Sequence, residues 1–440
     1  MDTKIYEAAA LEHEKLAPEL KEGFEIVAEF VKSRKRVMVG GMAIDLLLRE
    51  HGKQLYPDEL SSFPDIDILT PNNIKDAQDL ADIFYDKKYP DVSAISAIHV
   101  LTRKCRISGR VMCDATYVPP NVYEKIPFID LKNGYRVIHP LYQKIDQHML
   151  MSKLYTDPPR ESYQNRIKKD LTRYNLLDEF YPVEPVKERV KLFKVKISND
   201  IFPVMDARPT ILHGYCAYAA LIQTAKTMLN DKWADVQRDK DIIITEAYFE
   251  NETYIFETAV DAIHLLIEDP EDSSRPKNFD SYEPLLDLVP DKWISNNIEL
   301  WRFTGILISA GIGKVGDIEI ILPSVQYVLM FLLTMYYFGD EKNKNINLLL
   351  YCSLRKLLVY LEPIYTDEDK SPFFIPTQTI GSINISQSNM IILMRIKQNL
   401  GESEPGLLCL PPNYWPASSN MVKNYDYDTC QFFCKGGRKN

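Results

Sequence analysis

A chain of 440 residues, 45% hydrophobic and 26% charged, is long enough for two cores and is composed like a globular protein. The net charge of −10 argues against indiscriminate polyanion binding, and no apolar run reaches the roughly 18 residues that a membrane span needs. Asp2 and Lys4 charge the N-terminus, which excludes a signal peptide, and the seven scattered cysteines, an odd number, suit reduced thiols in an intracellular protein.

Met1 to Arg36 reads as a short helical lead that ends in a basic cluster, Lys32, Arg34, Lys35 and Arg36. Val37-Met38-Val39 is a β-branched run, Gly40-Gly41 a tight turn, and Met42 to Leu48 carries apolar residues at helical spacing, so strand, turn and helix are expected in that order. Paired glycines let backbone approach a ligand closely, and the start of a helix offers free N–H groups to an anion such as a triphosphate. Alone, such a turn serves packing at least as often as phosphate binding.

Phe63 to Thr70 reads as a strand in which Asp65 and Asp67 emerge on one face while Ile66 and Ile68 point to the other. Two adjacent carboxylates repel unless a cation lies between them. Arg110 to Val118 is a second strand-like segment that can lie beside the first and bring Asp114 to the same edge. Three carboxylates together suit two hard divalent ions, Mg²⁺ or Mn²⁺, that clamp the attacking and leaving oxygens of a phosphoryl displacement. The order Gly-Gly, Asp-x-Asp, Asp is more specific than any of its parts, because each supplies what the others need.

Further basic clusters surround Asp114: Arg103, Lys104, Arg106 and Arg110 before it, and Arg160, Arg166, Lys168, Lys169 and Arg173 after it. They could line a groove for RNA backbone or stand as solvated faces. Tyr117, Tyr123, Tyr135, Tyr155, Tyr163 and Tyr174 offer stacking platforms for unpaired bases, most of them expected to be filler. Lys153, on the helix after His139-Pro140, is the first choice for a cation reaching the phosphates, with a plain surface lysine as the competing assignment.

Tyr181-Pro182-Val183-Glu184-Pro185 interrupts a helical pattern and marks a domain boundary. Beyond it the chain repeats itself. Ile138 to Ile145 falls on Ile321 to Val328, Gly41-Met42-Ala43 resembles Gly214-Tyr215-Cys216-Ala217, and Pro64 to Thr70 resembles Lys240 to Thr245. In that alignment Gly40 is matched by His213 and Asp67 by Ile243, so the second copy is read as a transferase domain that has lost its chemistry. Val325 to Phe338 is expected as its core helix, Glu268, Asp269, Glu271 and Asp272 as an acidic loop, and Lys435 to Asn440 as a disordered end. The expected domains are therefore a lead, 1–36, a catalytic domain, 37–183, and a degenerate copy with its tail, 184–440.

Gly40, Gly41, Asp65, Asp67 and Asp114 resemble the motif of the polymerase-beta-like nucleotidyltransferase superfamily. Within it the chain resembles the poly(A) polymerase catalytic subunits of large nucleocytoplasmic DNA viruses, of giant viruses and, more distantly, poxviruses. It departs from common members by the long stretch from His51 to Pro64, and from the poxvirus enzymes by lacking a separate N-terminal domain. The resemblance implies an α+β fold with an active transferase domain followed by an inactive one, and template-independent addition of AMP from ATP to RNA 3′ ends. It implies Asp65, Asp67 and Asp114 as catalytic metal ligands for two Mg²⁺ or Mn²⁺ ions, and Gly40, Gly41 and Lys153 as nucleotide-binding residues. It further implies a homodimer, viral capping or transcription machinery as partners, no membrane, and a place in the host cytoplasm at the viral factory, or packaged in the virion. Transfer to another acceptor, a tRNA end, a protein or a small molecule, is the main alternative, and a non-catalytic RNA-binding assembly subunit the other.

Overall fold

The computed structural model describes residues 3–56, 64–97, 101–152, 160–183, 186, 189–198, 210–268, 288–292, 298–303, 308–364, 370–373, 378–380 and 413–416. Lys153, Tyr155, the tail's other residues, Asp269, Glu271 and Asp272 lie outside them, as do the side chains of Arg160, Tyr163, Arg166 and Lys168. Two compact units form, one from residues 1–143, 175–181 and 386–440, the other from 144–174 and 182–385. This differs from a single cut after Val183, because the chain crosses between the units more than once.

In the first unit, helix α1 (Thr3–Ser33) lies within the expected lead and buries Leu20, Val27, Phe30 and Val31. Strand β1 (Val37–Val39) runs into helix α2 (Gly40–Arg49), which buries every residue from Gly41 to Leu48. Next come β2 (Ile66–Thr70), α3 (Asn73–Asp86), β3 (Ser93–Ser96), β4 (Thr102–Ile107) and β5 (Arg110–Tyr117). The short α4 (Pro120–Tyr123), then β6 (Phe128–Asp130) and β7 (Arg136–Ile138), precede α5 (Pro140–Ser152) and α6 (Arg160–Phe180). Helix α6 stops one residue before Tyr181-Pro182, where the proline signal placed its end.

The seven strands form one mixed sheet in the order β3-β4-β5-β2-β1-β7-β6. β1 is antiparallel to β2 with Val39 opposite Asp67, and β2 is parallel to β5 with Asp67 opposite Asp114. β4 is antiparallel to β5 with Lys104 opposite Asp114. Alternation along each strand then puts Asp67, Asp114 and Lys104 on one face, while Ile66, Ile68, Cys113, Ala115, Arg103 and Cys105 are buried on the other.

The second unit takes most of α5 and α6 and continues with β8 (Phe193–Ser198), β9 (Thr210–Leu212), α7 (Gly214–Leu229) and α8 (Trp233–Arg238). Strands β10 (Ala247–Glu250), β11 (Thr253–Thr258), β12 (Ile263–Glu268), β13 (Leu288–Lys292) and β14 (Ile298–Phe303) follow. The hairpin β15 (Ile308–Val315) and β16 (Ile318–Pro323) then leads to α9 (Val325–Phe338), α10 (Lys344–Leu361) and β17 (Gln378–Ile380). Helix α9 is capped by Ser324 and buries Val325 and Tyr327 through Thr334, so it is a core helix as its composition indicated.

The second unit repeats the first. Its four-stranded sheet has the order β13-β14-β12-β9, and the first sheet contains β4-β5-β2-β1. Each pair keeps its sense: β9 is antiparallel to β12, β12 parallel to β14, and β13 antiparallel to β14. A hairpin followed by a helix closes both halves, β6–β7 before α5 and β15–β16 before α9.

The structural register corrects the alignment made from sequence. Gly40 and Gly214 both open a helix with positive φ, +69° and +53°, so Gly40 corresponds to Gly214 and not to His213. A Cβ on Gly40 would collide with Asp67, and one on Gly214 would collide with His264, so Asp67 corresponds to His264 and not to Ile243. Lys240 to Thr245, the expected counterpart of the Asp-x-Asp strand, forms a turn and extended chain without strand pairing. Since His264 lies opposite Glu299 and Glu299 opposite Lys292, the row Asp67–Asp114–Lys104 is repeated as His264–Glu299–Lys292.

Candidate active site

Oxygens of Asp65, Asp67 and Asp114 converge to within 4.8 Å of one another. Asp65 is exposed at the mouth of β2, while Asp67 and Asp114 are half-buried on adjacent strands. Parallel pairing of β2 with β5 produces this closeness, since it sets Asp67 directly against Asp114. An oxygen-only donor set with no thiolate or imidazole fits a hard divalent cation such as Mg²⁺ or Mn²⁺.

Beside this cluster the chain turns from β1 into α2. Val39 is extended (φ −132°), Gly40 takes the positive φ, and no side chain caps the helix, which leaves its first-turn N–H groups directed at whatever occupies the mouth. The turn is also held from below: Gln143, in the first turn of α5 and 1% exposed, donates from Nε2 to the Gly40 carbonyl at 3.1 Å. No sequence signal marked Gln143 as a site residue, although the repeat did align it with Gln326.

The chain after α2 is anchored by Asp45. Its buried carboxylate accepts from the backbone N–H of Leu55 at 2.6 Å and of Tyr56 at 3.0 Å, and pairs with Arg49 Nε at 2.5 Å. That fixes the start of the long His51–Pro64 stretch, of which residues 57–63 lie outside the described part.

Several of the expected groove cations have structural duties instead. Arg34 bonds Asp76 and Asp79, each at 2.8 Å, and Arg36 bonds the same buried Asp76, so both tie the end of α1 to α3. Arg103, 1% exposed, donates to Ser96 Oγ at 2.6 Å and to the Ala94 carbonyl at 3.1 Å. Lys104 does reach the cluster, with Nζ 3.2 Å from Asp114 Oδ2. Lys32 lies over the Tyr135 ring at 4.3 Å, and Tyr174 is buried and unavailable for stacking.

At the matching place in the second unit there is no carboxylate pair. His213 is fully buried among Phe331, Trp301 and Tyr327, with ring centroids 4.6, 5.0 and 5.6 Å away. Burial drives its pKa far below the ordinary imidazole value, with His264 adding to the shift, and pushes His264 down to about 4 despite Glu299 at 3.4 Å from Nε2. Two neutral histidines in an aromatic cage cannot replace a metal-binding acid pair. Among the described residues, Asp65, Asp67 and Asp114 are the one carboxylate, imidazole or thiol group arranged to hold a metal.

A glycine-opened helix beside three converging carboxylates on a mixed sheet is an arrangement suited to metal-assisted transfer of a nucleotide. Residues 25–157 match the family described as Poly(A) polymerase catalytic subunit. The putative poly(A) polymerase catalytic subunit of African swine fever virus (strain Badajoz 1971 Vero-adapted) is 28% identical over 98% of this chain and 96% of its own length. The putative poly(A) polymerase catalytic subunit of Acanthamoeba polyphaga mimivirus is 26% identical over 38% of this chain and 28% of its own length. The crystal structure of the Megavirus polyadenylate synthase superposes with a TM-score of 0.63 over 94% of this chain and 85% of that one; at 18% identity this speaks for the fold. Together these likenesses support a viral poly(A) polymerase catalytic subunit.

Proposed function

We propose that this protein extends RNA 3′ ends with AMP units from ATP, without a template. The observation that carries the reading is the convergence of Asp65, Asp67 and Asp114 beside the Gly40 turn. Asp65 and Asp67 would hold two divalent ions, Mg²⁺ or Mn²⁺, and Asp114 the one nearer the RNA 3′ hydroxyl. Such ions, when bound, activate that hydroxyl and neutralise charge on the leaving pyrophosphate. The chain's own contribution is placement: the Gly40-Gly41 turn admits the triphosphate against uncapped backbone N–H groups, and Gln143 keeps that turn in position. Lys153 is retained as a candidate phosphate contact. The second unit serves as a structural lobe, because its counterpart row offers the buried His264 where a carboxylate for a hard cation would be needed. Assembly as a homodimer that encloses the growing tail, and work beside viral capping or transcription machinery, complete the proposal. Among the described residues no helix is long and apolar enough to cross a membrane.

Extension of an oligo(A) primer with each of the four nucleotides supplied separately tests the reading. Long products with ATP alone, lost in Asp67→Ala, are expected. Equal use of all four nucleotides, or transfer to a tRNA end or protein in place of the primer, would assign the site to another acceptor class. Light scattering with a single-encounter extension assay tests the assembly, and a monomer that releases RNA after a few additions would refute the self-enclosing dimer.

A further inference from the structure

The cross-strand row at the site does not end with the carboxylates. Lys104 occupies the next place after Asp114, and its ammonium already sits on Asp114 Oδ2 at 3.2 Å, with the lysine side chain 29% and the aspartate 15% exposed. Strand β4 is internal, paired on its other side with β3, so its backbone is fixed and only the lysine's four-carbon stem is free to swing. Its neighbours Arg103 and Cys105 are buried on the opposite face, which directs Lys104 to the side where the carboxylates converge.

A divalent ion on Asp114 and an ammonium on the same carboxylate would lie within a few ångströms of each other and repel. One must yield. We propose that Lys104 is a resident counter-ion of Asp114 that a metal displaces on loading, and that the displaced ammonium then pairs with substrate phosphate. Lys104 thereby lowers the affinity of the empty site for metal and links metal loading to the arrival of an anionic substrate. This rests on the metal-site reading given above. In the second unit the same backbone register is kept, with Lys292 paired to Glu299. The first unit must open the Lys104–Asp114 pair before it can act.

Binding of Mn²⁺ to the full chain, followed by the paramagnetic resonance of free Mn²⁺ with and without ATP, tests the proposal on wild type, Lys104→Met, Lys104→Gln, Lys104→Arg and Asp67→Ala. Without ATP, removing one charge so close to the ion should tighten Mn²⁺ binding in Lys104→Met and Lys104→Gln by about tenfold, while Lys104→Arg stays near wild type. The enhancement of Mn²⁺ binding by ATP should shrink in the neutral variants, and their KM for ATP should rise more than their kcat falls. If Met and Gln leave Mn²⁺ binding unchanged or weaken it, while Asp67→Ala abolishes it, the counter-ion role is wrong and the metal site stands. If wild type shows no Mn²⁺ binding that Asp67→Ala removes, the metal-site reading fails and takes this proposal with it.

Discussion

Replacing Gly40 by alanine separates what the glycine turn does for the fold from what it does for the site. Gly40 has φ +69°, where an L-residue costs about 1–2 kcal/mol. The added Cβ would also strike the Asp67 carboxylate, which is the movable end of a half-buried side chain. It can swing aside cheaply for the fold, but only by leaving the place where it meets Asp65 and Asp114. The expected result is a modest fall in Tm, about 2–8 °C by the usual scaling for a unit of this size. Primer extension should fall by at least about 100-fold, because a displacement near 1 Å in a reacting constellation costs on that order.

Gly214→Ala is the matched control. Its φ is +53°, and its Cβ would lie 2.5 Å from His264 Nδ1 and 3.1 Å from the Phe331 ring. Those are rings inside a packed core and cannot move aside freely, so backbone and overpacking costs together reach about 2–5 kcal/mol. Melting should suffer more than in Gly40→Ala, while extension measured well below the melting temperature stays close to wild type. Thermal melts and single-encounter extension on the two variants decide it. A Gly40→Ala protein with wild-type extension, or a Gly214→Ala protein that is folded yet inactive, would refute the assignment of the two turns.

Gln143→Leu removes the donor to the Gly40 carbonyl while keeping most of the volume. It should lower stability by about 1 kcal/mol and raise KM for ATP several-fold, both read from melts and extension kinetics. The buried histidines make a pH prediction with a definite sign. His264, pushed down to about 4, and His213, also lowered, take up protons more readily when unfolded, so stability should be level above pH about 6.5 and fall below it. For His264 alone the loss at pH 5 is roughly 2 kcal/mol, the fall from the unfolded value of about 6.5 to pH 5 converted at about 1.4 kcal/mol per unit, because the folded value of about 4 lies below pH 5. A Tm that stays flat from pH 7 to 5, or a decline that His264→Phe leaves unaltered, would refute that account.

The convergence of Asp65, Asp67 and Asp114 beside Gly40 was legible because these residues carry their signal in spacing: Gly40 beside a β-branched run, Asp65 and Asp67 two apart, and Asp114 in a strand of similar character. What spacing cannot supply is the pairing of strands. Lys104 was visible only as one of four cations before Asp114, and the register of β4 on β5 is what sets it, and not Arg106 or Arg110, against the acid. Arg34, Arg36 and Arg103 looked like groove cations for the same reason. Their pairing with Asp76, Asp79 and Ser96 depends on tertiary partners that no local pattern reveals. The duplication was detectable, yet its register slipped where the second copy's long β9-to-β12 connection breaks the offset. A sequence match to Lys240–Thr245 rested on similar residues, whereas strand pairing equates positions by hydrogen-bond order and leads to His264.

The two copies also differ in what their rows require. In the second, His264 and Glu299 sit at a distance suited to each other, and an aromatic cage packs around His213, so the row is stable without any ligand. In the first, three carboxylates lie within 4.8 Å with Lys104 offsetting one of them, an arrangement whose mutual repulsion is relieved by a divalent ion. Metal should therefore raise the melting temperature of the wild-type chain through its first unit. An ion that binds only the folded site contributes about 2.7 kcal/mol at 100 times its Kd. Asp67→Ala should melt at or above the wild-type temperature in chelator, since it removes repulsion, and should gain nothing from Mn²⁺. A wild-type protein indifferent to Mn²⁺, or an Asp67→Ala protein stabilised as much as wild type, would mean that the acidic cluster is not where the ion binds.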